Sequence, residues 1–245
     1  KSARLPIIHC QQLIEVLEQI SNQPMIINDI NDDILATQMW QETYSQTDGT
    51  IERHVDFPES PLNMIYSGPH IGVGNPFLKT PRRICLLKSD YDSIDLMEIG
   101  AKYYARCNYV PKCSTDEYMA RMQTTNWGNY YNENYRFVMR RMLNQVGERT
   151  LIGGVIPPET AHIHTVFGLA CRSLEQVCTI ATELISLPYD YYVKSTGKSD
   201  ILFGMVSKMP YLSTLSQSAI FRMLLLNCLT SDYASLWSKA TMKSN

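Results

Sequence analysis

The apolar positions of this chain change their spacing several times, and each change predicts a different element. Leu13, Val16, Leu17 and Ile20 recur at helical intervals, which predicts an amphipathic helix over Gln11–Ile20. Behind the acidic turn Asn28–Asp33, the stretch from Ile34 to about Gln46 reads as a second helix, closed by Asp48-Gly49. Between Ile51 and Pro81 the texture breaks up. Pro58, Pro61, Pro69, Pro76 and Pro81, with Gly68, Gly72 and Gly74, exclude long helices and leave short strands such as Leu62–Tyr66 between loops. Ile84–Leu87 reads as a further strand, Asp92 to about Ala105 as a helix, and Tyr135–Gln145 as a helix carrying Arg136, Arg140 and Arg141. The first two of these arginines are four apart and share a face.

The run Leu151–Ile156 is short and rich in branched side chains, as in a buried strand. Gly153 and Gly154 in its middle allow a close backbone approach, and Pro157-Pro158 stops it. Farther on, Ser173 and Gln176 form a capping box for a helix reaching about Ile185. Pro188 opens another helical segment, and a short element at Met205–Met209 stops at Pro210. Ser216–Cys228 and Asp232–Thr241 read as two closing helices, with Leu236 and Trp237 facing inward. The sum is a mixed α/β (α+β) fold with short strands and flanking helices. Residues 1–50 read as a helical connector, 51–212 as the main body and 213–245 as C-terminal helices.

Composition narrows the function. The 245 residues carry 22 Lys and Arg against 24 Asp and Glu, so a net charge of −2 gives no global attraction to nucleic acid, and any basic surface has to be local. No apolar run is long enough for a bilayer, which predicts no membrane partner. Seven scattered cysteines without a CxxC pair predict reduced thiols in a cytoplasmic setting. The chain opens on Lys1 instead of Met, which predicts a piece of something longer or a processed chain.

Gly74-Asn75-Pro76-Phe77 lacks the second proline of an amino-methyltransferase motif. Gly197-Lys198-Ser199 has Tyr192 where a phosphate-binding loop needs glycine. Asp95, Glu98 and Lys102 fit a helical salt pair better than a nuclease triad. His162 and His164 alternate but lack a third ligand, and a hydrogen-bonded core histidine suits them better. What remains is basic. Lys79, Arg82, Arg83 and Lys88 follow a loop with Tyr66, His70 and Asn75, and a second set, Arg136, Arg140 and Arg141, lies beside the aromatic and amide-rich Trp127–Tyr135. Amides, aromatics and arginines suit base edges, and neighbouring Lys and Arg suit phosphates. A solvated surface is the alternative.

Several segments resemble the C-terminal part of large N6-adenine DNA methyltransferases, the type IIG restriction–modification enzymes and their phage-defence relatives. They are SGPHIGVGNPFLKTPR (Ser67–Arg82), ARCNYVP (Ala105–Pro111), ERTLIGGVIPPETAHIHTV (Glu148–Val166) and LLNCLTSDYASLW (Leu225–Trp237). PYDYYVKSTGK and VSKMPYL are similar to the end of a target recognition domain in type I specificity subunits. The resemblance implies a target recognition domain that reads double-stranded DNA, with no catalytic residue or cofactor of its own. It places S-adenosylmethionine and the catalytic motif in an upstream methyltransferase domain of the same polypeptide. For a DNA-binding module, the residues themselves suggest Lys79, Arg82, Arg83 and Arg140 as phosphate contacts, Tyr66, His70 and Asn75 as residues approaching base edges, and Arg136 as a further DNA-binding candidate. The competing expectation is a protein-interaction scaffold, supported by the near-neutral charge and the Trp127–Tyr135 aromatics.

Overall fold

In the computed structural model, which describes residues 11–87 and 89–242, helices and short strands alternate along the chain. The order is α1 (Gln11–Ser21), β1 (Ile34–Thr37), α2 (Glu42–Thr47), β2 (Ile51–Asp56), β3 (Ile65–Tyr66), β4 (Lys79–Pro81), β5 (Tyr91–Ser93), β6 (Cys107–Pro111) and α3 (Thr115–Ala120). Then come β7 (Arg136–Arg140), β8 (Gly153–Ile156), β9 (Ala161–His162), β10 (Val166–Cys171), α4 (Leu174–Leu184), α5 (Leu187–Ser195), α6 (Phe203–Val206), α7 (Gln217–Asn227) and α8 (Ala234–Met242). This is the mixed α+β class that the sequence predicts. Among the described residues, no helix is long and apolar enough to cross a membrane.

The centre is an antiparallel sheet in the order β1-β10-β7-β8. Successive side chains of a strand point to opposite faces, and both faces of this sheet are buried. Phe137, Met139, Phe167 and Leu169 meet Val177, Ile180 and Leu184 of α4, and behind them Leu224 of α7 and Leu236 of α8. Val138, Ile156 and Val166 point the other way, onto Met64, Tyr66, Ile71 and Cys107. The three smaller ladders lie on this second side: β2 with β6, β3 with β9 in parallel, and the β4–β5 hairpin.

Four expected elements take a different form. Ile34–Thr37 is a sheet strand paired to β10, so the helix expected over 34–46 shrinks to Glu42–Thr47. The stretch expected as a connector thus supplies a strand, and Ile27 and Ile34 share one core cluster with Leu236 and Ala240. Tyr91–Ser93 pairs with β4, and that non-local pairing keeps the 92–105 segment out of a helix. Ile84–Leu87 is an exposed connection, not a strand. The Tyr135–Gln145 helix is the strand β7, laddered on both sides.

The capping box forms as expected. Ser173 Oγ accepts the Gln176 N–H at 3.2 Å, and the Gln176 side chain accepts the Ser173 N–H at 3.0 Å. The Gly153-Gly154 strand also behaves as expected: a Cβ on Gly153 would stand 2.7 Å from the Phe137 ring, and one on Gly154 2.9 Å from the Asn75 backbone. In the ladder, however, β8 is an edge. An uncovered edge is a template for foreign strands, and here it is closed from inside. The Gly74 N–H donates to Gly153 O at 2.8 Å. The Asn227 amide accepts from Val155 N–H at 2.6 Å and donates to Val155 O at 3.0 Å, as a neighbouring peptide would. Replacing Asn227→Leu leaves the Val155 N–H buried and unanswered, whereas Val155 O keeps the Tyr233 hydroxyl at 2.8 Å. The expected loss is about 1–3 kcal/mol by chemical denaturation, with faster hydrogen exchange at Val155.

Candidate nucleic-acid interface

The eight predicted contact residues separate into an interior set and an exterior set. Tyr66, His70 and Arg136 are 2 %, 0 % and 0 % exposed, so none of them reaches a ligand from the folded state. All three are interior residues, against the DNA-contact role expected of them. Tyr66 lies on β3, under the sheet. His70 ends a tight turn begun by Gly68. Its Nδ1 lies 2.9 Å from the Ser67 N–H and its Nε2 2.8 Å from Arg106 O. Burial pulls its pKa down to about 4, so the ring is neutral at physiological pH. Arg136 spends its guanidinium on main-chain oxygens of Asn134, Pro157 and Thr160.

Two further residues are half-buried and serve the loop above the sheet. Asn75 Oδ1 accepts the Phe77 N–H at 3.0 Å, and its carbonyl accepts the Gly72 N–H at 2.7 Å, which closes the turn. Arg140 donates from Nε to Ile71 O at 2.9 Å, and burial lowers its pKa. Both hold the loop 67–78 in shape from below. Arg140 keeps part of its surface open, so the loop-bracing role and a phosphate contact are compatible.

The remaining three, Lys79, Arg82 and Arg83, are brought together on the β4–β5 hairpin. Lys88 of the same cluster lies outside the described residues, as does Cys10. The hairpin is fastened at its root. Leu78 N–H donates to His70 O, Ile94 N–H to Leu78 O, and Arg106 N–H to Thr80 Oγ1 at 3.0 Å. Tyr91 meets the His70 ring edge-on and bonds to the Asn108 amide. Thus the buried His70, expected to read bases, instead supports the element that carries the cations.

Charge on the hairpin is partly neutralised in place. Arg82 Nε and Asp92 Oδ1 pair at 2.8 Å, and that hydrogen bond and charge raise the arginine pKa. The Asp90 carboxylate accepts the N–H groups of Leu87 and Leu86, which lowers its pKa. Arg106 lies with its guanidinium 4.5 Å over the Phe57 ring and donates to Pro81 O. Arg83 is exposed and makes no ion pair or hydrogen bond among the described residues. Sequence reasoning missed Arg53 and Arg106, which stand behind the hairpin. The only signal for them is their place on β2 and before β6, and that becomes meaningful once the two strands pair.

The histidine pair does not converge. His162 is buried against the Tyr131 hydroxyl at 3.0 Å, while His164 Nδ1 accepts the Glu42 N–H at 3.2 Å. The core-histidine expectation therefore holds for His162. Among the described residues, no three His, Cys, Asp or Glu side chains gather as metal ligands. Of the Trp127–Tyr135 aromatics, Tyr131 and Tyr135 are buried, and Trp127 Nε1 donates to Asn134 Oδ1. The chain matches no protein-family model and no curated protein.

Proposed function

We propose that this chain is a duplex-DNA recognition module, the target recognition part of a larger cytoplasmic enzyme that methylates adenine N6 with S-adenosylmethionine. The β4–β5 hairpin is its contact element. The observation that carries the reading is the position of Lys79, Arg82 and Arg83 on one hairpin, braced by Arg53, His70 and Arg106 beneath it. A two-stranded ribbon fits a DNA groove, and cations at its margin meet the phosphates. The chain itself performs no bond-making in this reading; S-adenosylmethionine and the catalytic residues belong to the upstream methyltransferase domain. Six described cysteines are unpaired, five of them buried, which supports a reducing compartment. Of the rings behind the scaffold alternative, Tyr131 and Tyr135 are buried, while Trp127 and Tyr130 stay partly exposed.

The test is fluorescence anisotropy with a randomised-sequence duplex at two salt concentrations. Binding is expected to fall steeply as salt rises, and Arg83→Ala is expected to reduce the salt slope by about 1 while leaving the fold intact. Salt-independent binding, or none at low salt, overturns the reading.

A further inference from the structure

The connection between β4 and β5 holds three large aliphatic side chains in water. Ile84 is 77 % exposed, Leu86 75 % and Leu87 68 %. Scattered exposed apolar residues are ordinary, but three within four positions of one hairpin connection mark a contact surface. The tip is also held in shape without a partner. Arg82 N–H donates to Asp90 O at 2.9 Å and Asp90 N–H to Leu87 O at 3.0 Å. One Asp90 carboxylate oxygen takes the N–H groups of Leu86 and Leu87 at 2.9 and 2.8 Å. Arg53 Nη2 grips Cys85 O at 2.6 Å, and the Cys85 side chain is buried. Cys85 is thus the anchor, and its neighbours Ile84 and Leu86 are turned outward by the same backbone.

Charge around the tip selects the occupant. The two acids of the hairpin itself are already engaged, Asp90 by tip amides and Asp92 by Arg82. Arg83, directly beside Ile84, keeps an unpaired cation among the described residues. An apolar point with an arginine at its flank is the chemistry of a side-chain wedge. Such wedges enter between base pairs, part the stack and let the cation reach the adjoining phosphate. We propose that the β4–β5 tip is an unstacking wedge, with Leu86 and Leu87 entering a base step, Ile84 closing over it and Arg83 holding the flanking phosphate. This rests on the duplex-recognition reading and adds to it a deformation step. A parted stack lowers the cost of extruding a base for modification, and pyrimidine–purine steps part most readily.

The experiment starts from a randomised duplex pool enriched on the full chain. Adenines of the enriched sequence are then replaced one at a time by 2-aminopurine, whose emission rises on unstacking. The wild-type chain is expected to raise emission at one step. The double variant Leu86→Ser, Leu87→Ser changes only exposed side chains. It is expected to lose that rise and to bind about tenfold or more weakly, with an unchanged salt slope. Arg83→Ala is expected to keep the rise and lose about one unit of slope. Enrichment with flat emission, or a serine variant that binds and unstacks normally, overturns the wedge alone. Failure to enrich any duplex overturns the DNA reading with it and leaves the tip as a surface for a protein partner.

Discussion

Arg136→Ala is expected to lower the folding stability of this chain by several kcal/mol, about 2–5. The side chain sits at the start of the central strand β7 with no exposure at all. Its Nε donates to Asn134 O at 3.0 Å, Nη1 to Thr160 O at 2.7 Å, and Nη2 to Pro157 O at 2.6 Å and Thr160 Oγ1 at 2.8 Å. The guanidinium also lies 5.2 Å from the Tyr131 ring centroid. No carboxylate is among these partners. Burial brings its pKa down to about 10, with nearby tyrosines opposing the shift, so it stays charged at pH 7. The arginine is therefore a cross-tie that satisfies the turn between β8 and β9 in a place water does not reach. Alanine orphans Asn134 O and Thr160 O and leaves a void; Pro157 O keeps only the Thr160 hydroxyl at 2.8 Å. Leaving buried acceptors unanswered costs about 1–3 kcal/mol each, offset in part by the relief of a buried charge, against a total stability of roughly 5–15 kcal/mol for a domain. Urea denaturation should show a large fall in midpoint. Arg140→Ala removes one bond, from Nε to Ile71 O, and should cost about 1–2 kcal/mol. A folded Arg136→Ala chain that had merely lost duplex affinity would restore Arg136 to the DNA surface and refute the cross-tie.

The same residue explains what the sequence can and cannot disclose. Arg136 and Arg140 share a face whether β7 is a helix or a strand, because positions four apart coincide at both periods. Phe137-Val138-Met139 between them is a continuous apolar run, as expected of a strand buried on both sides, and such a run is ambiguous by periodicity. Nothing local reveals that Thr160 and Pro157, more than twenty residues on, will roof that face. The elements that were legible carry their own punctuation: the Ser173–Gln176 capping box, the glycine pair stopped by Pro157, and the helices α7 and α8 behind Ser216 and Asp232. Elements decided by distant partners were not legible. β1 exists because β10 lies beside it, and β5 because β4 does. Ile84–Leu87 has the composition of a strand, but Asp90 captures two of its amides and keeps it as a loop. Of the candidate site, the cations of the hairpin were visible as a cluster; the burial of Tyr66 and His70 was not, since it depends on β9 and on the segment before β6.

Stability is expected to peak near pH 6.5 and to fall on both sides, for opposite reasons. On the alkaline side the cause is Glu183 of α4, 2 % exposed, whose Oε1 accepts the Leu212 N–H while Oε2 has no partner among the described residues. Burial pushes this carboxyl up to about 8. Between pH 4.5 and 8 the folded chain holds a proton that the unfolded chain has released, so stability drops as pH rises, by about 1.4 kcal/mol per unit. On the acid side the causes are His70 and His162, which burial holds down to about 4 and about 3. Below their ordinary value of 6.5 the unfolded chain takes up two protons that the folded chain refuses. Two histidine protons against one from Glu183 leave a net loss of about 1.4 kcal/mol per unit down to pH 4.5. His164, also lowered, adds in the same sense. Glu183→Gln separates the two limbs. Its amide oxygen still accepts from Leu212 N–H, and it carries no charge to desolvate. Its amide nitrogen takes the partnerless Oε2 place at a cost of about 1–3 kcal/mol at every pH, so the variant should exceed the wild type by about 2–3 kcal/mol at pH 8, be flat between pH 6.5 and 8, and be steeper below 6.5, where the opposing proton is gone. Urea midpoints at pH 5, 6.5 and 8 for both chains decide it. A wild-type curve with no decline from 6.5 to 8, together with no gain in the variant, would mean that Glu183 is ionised and solvated in the fold, and the buried-carboxyl account would fail.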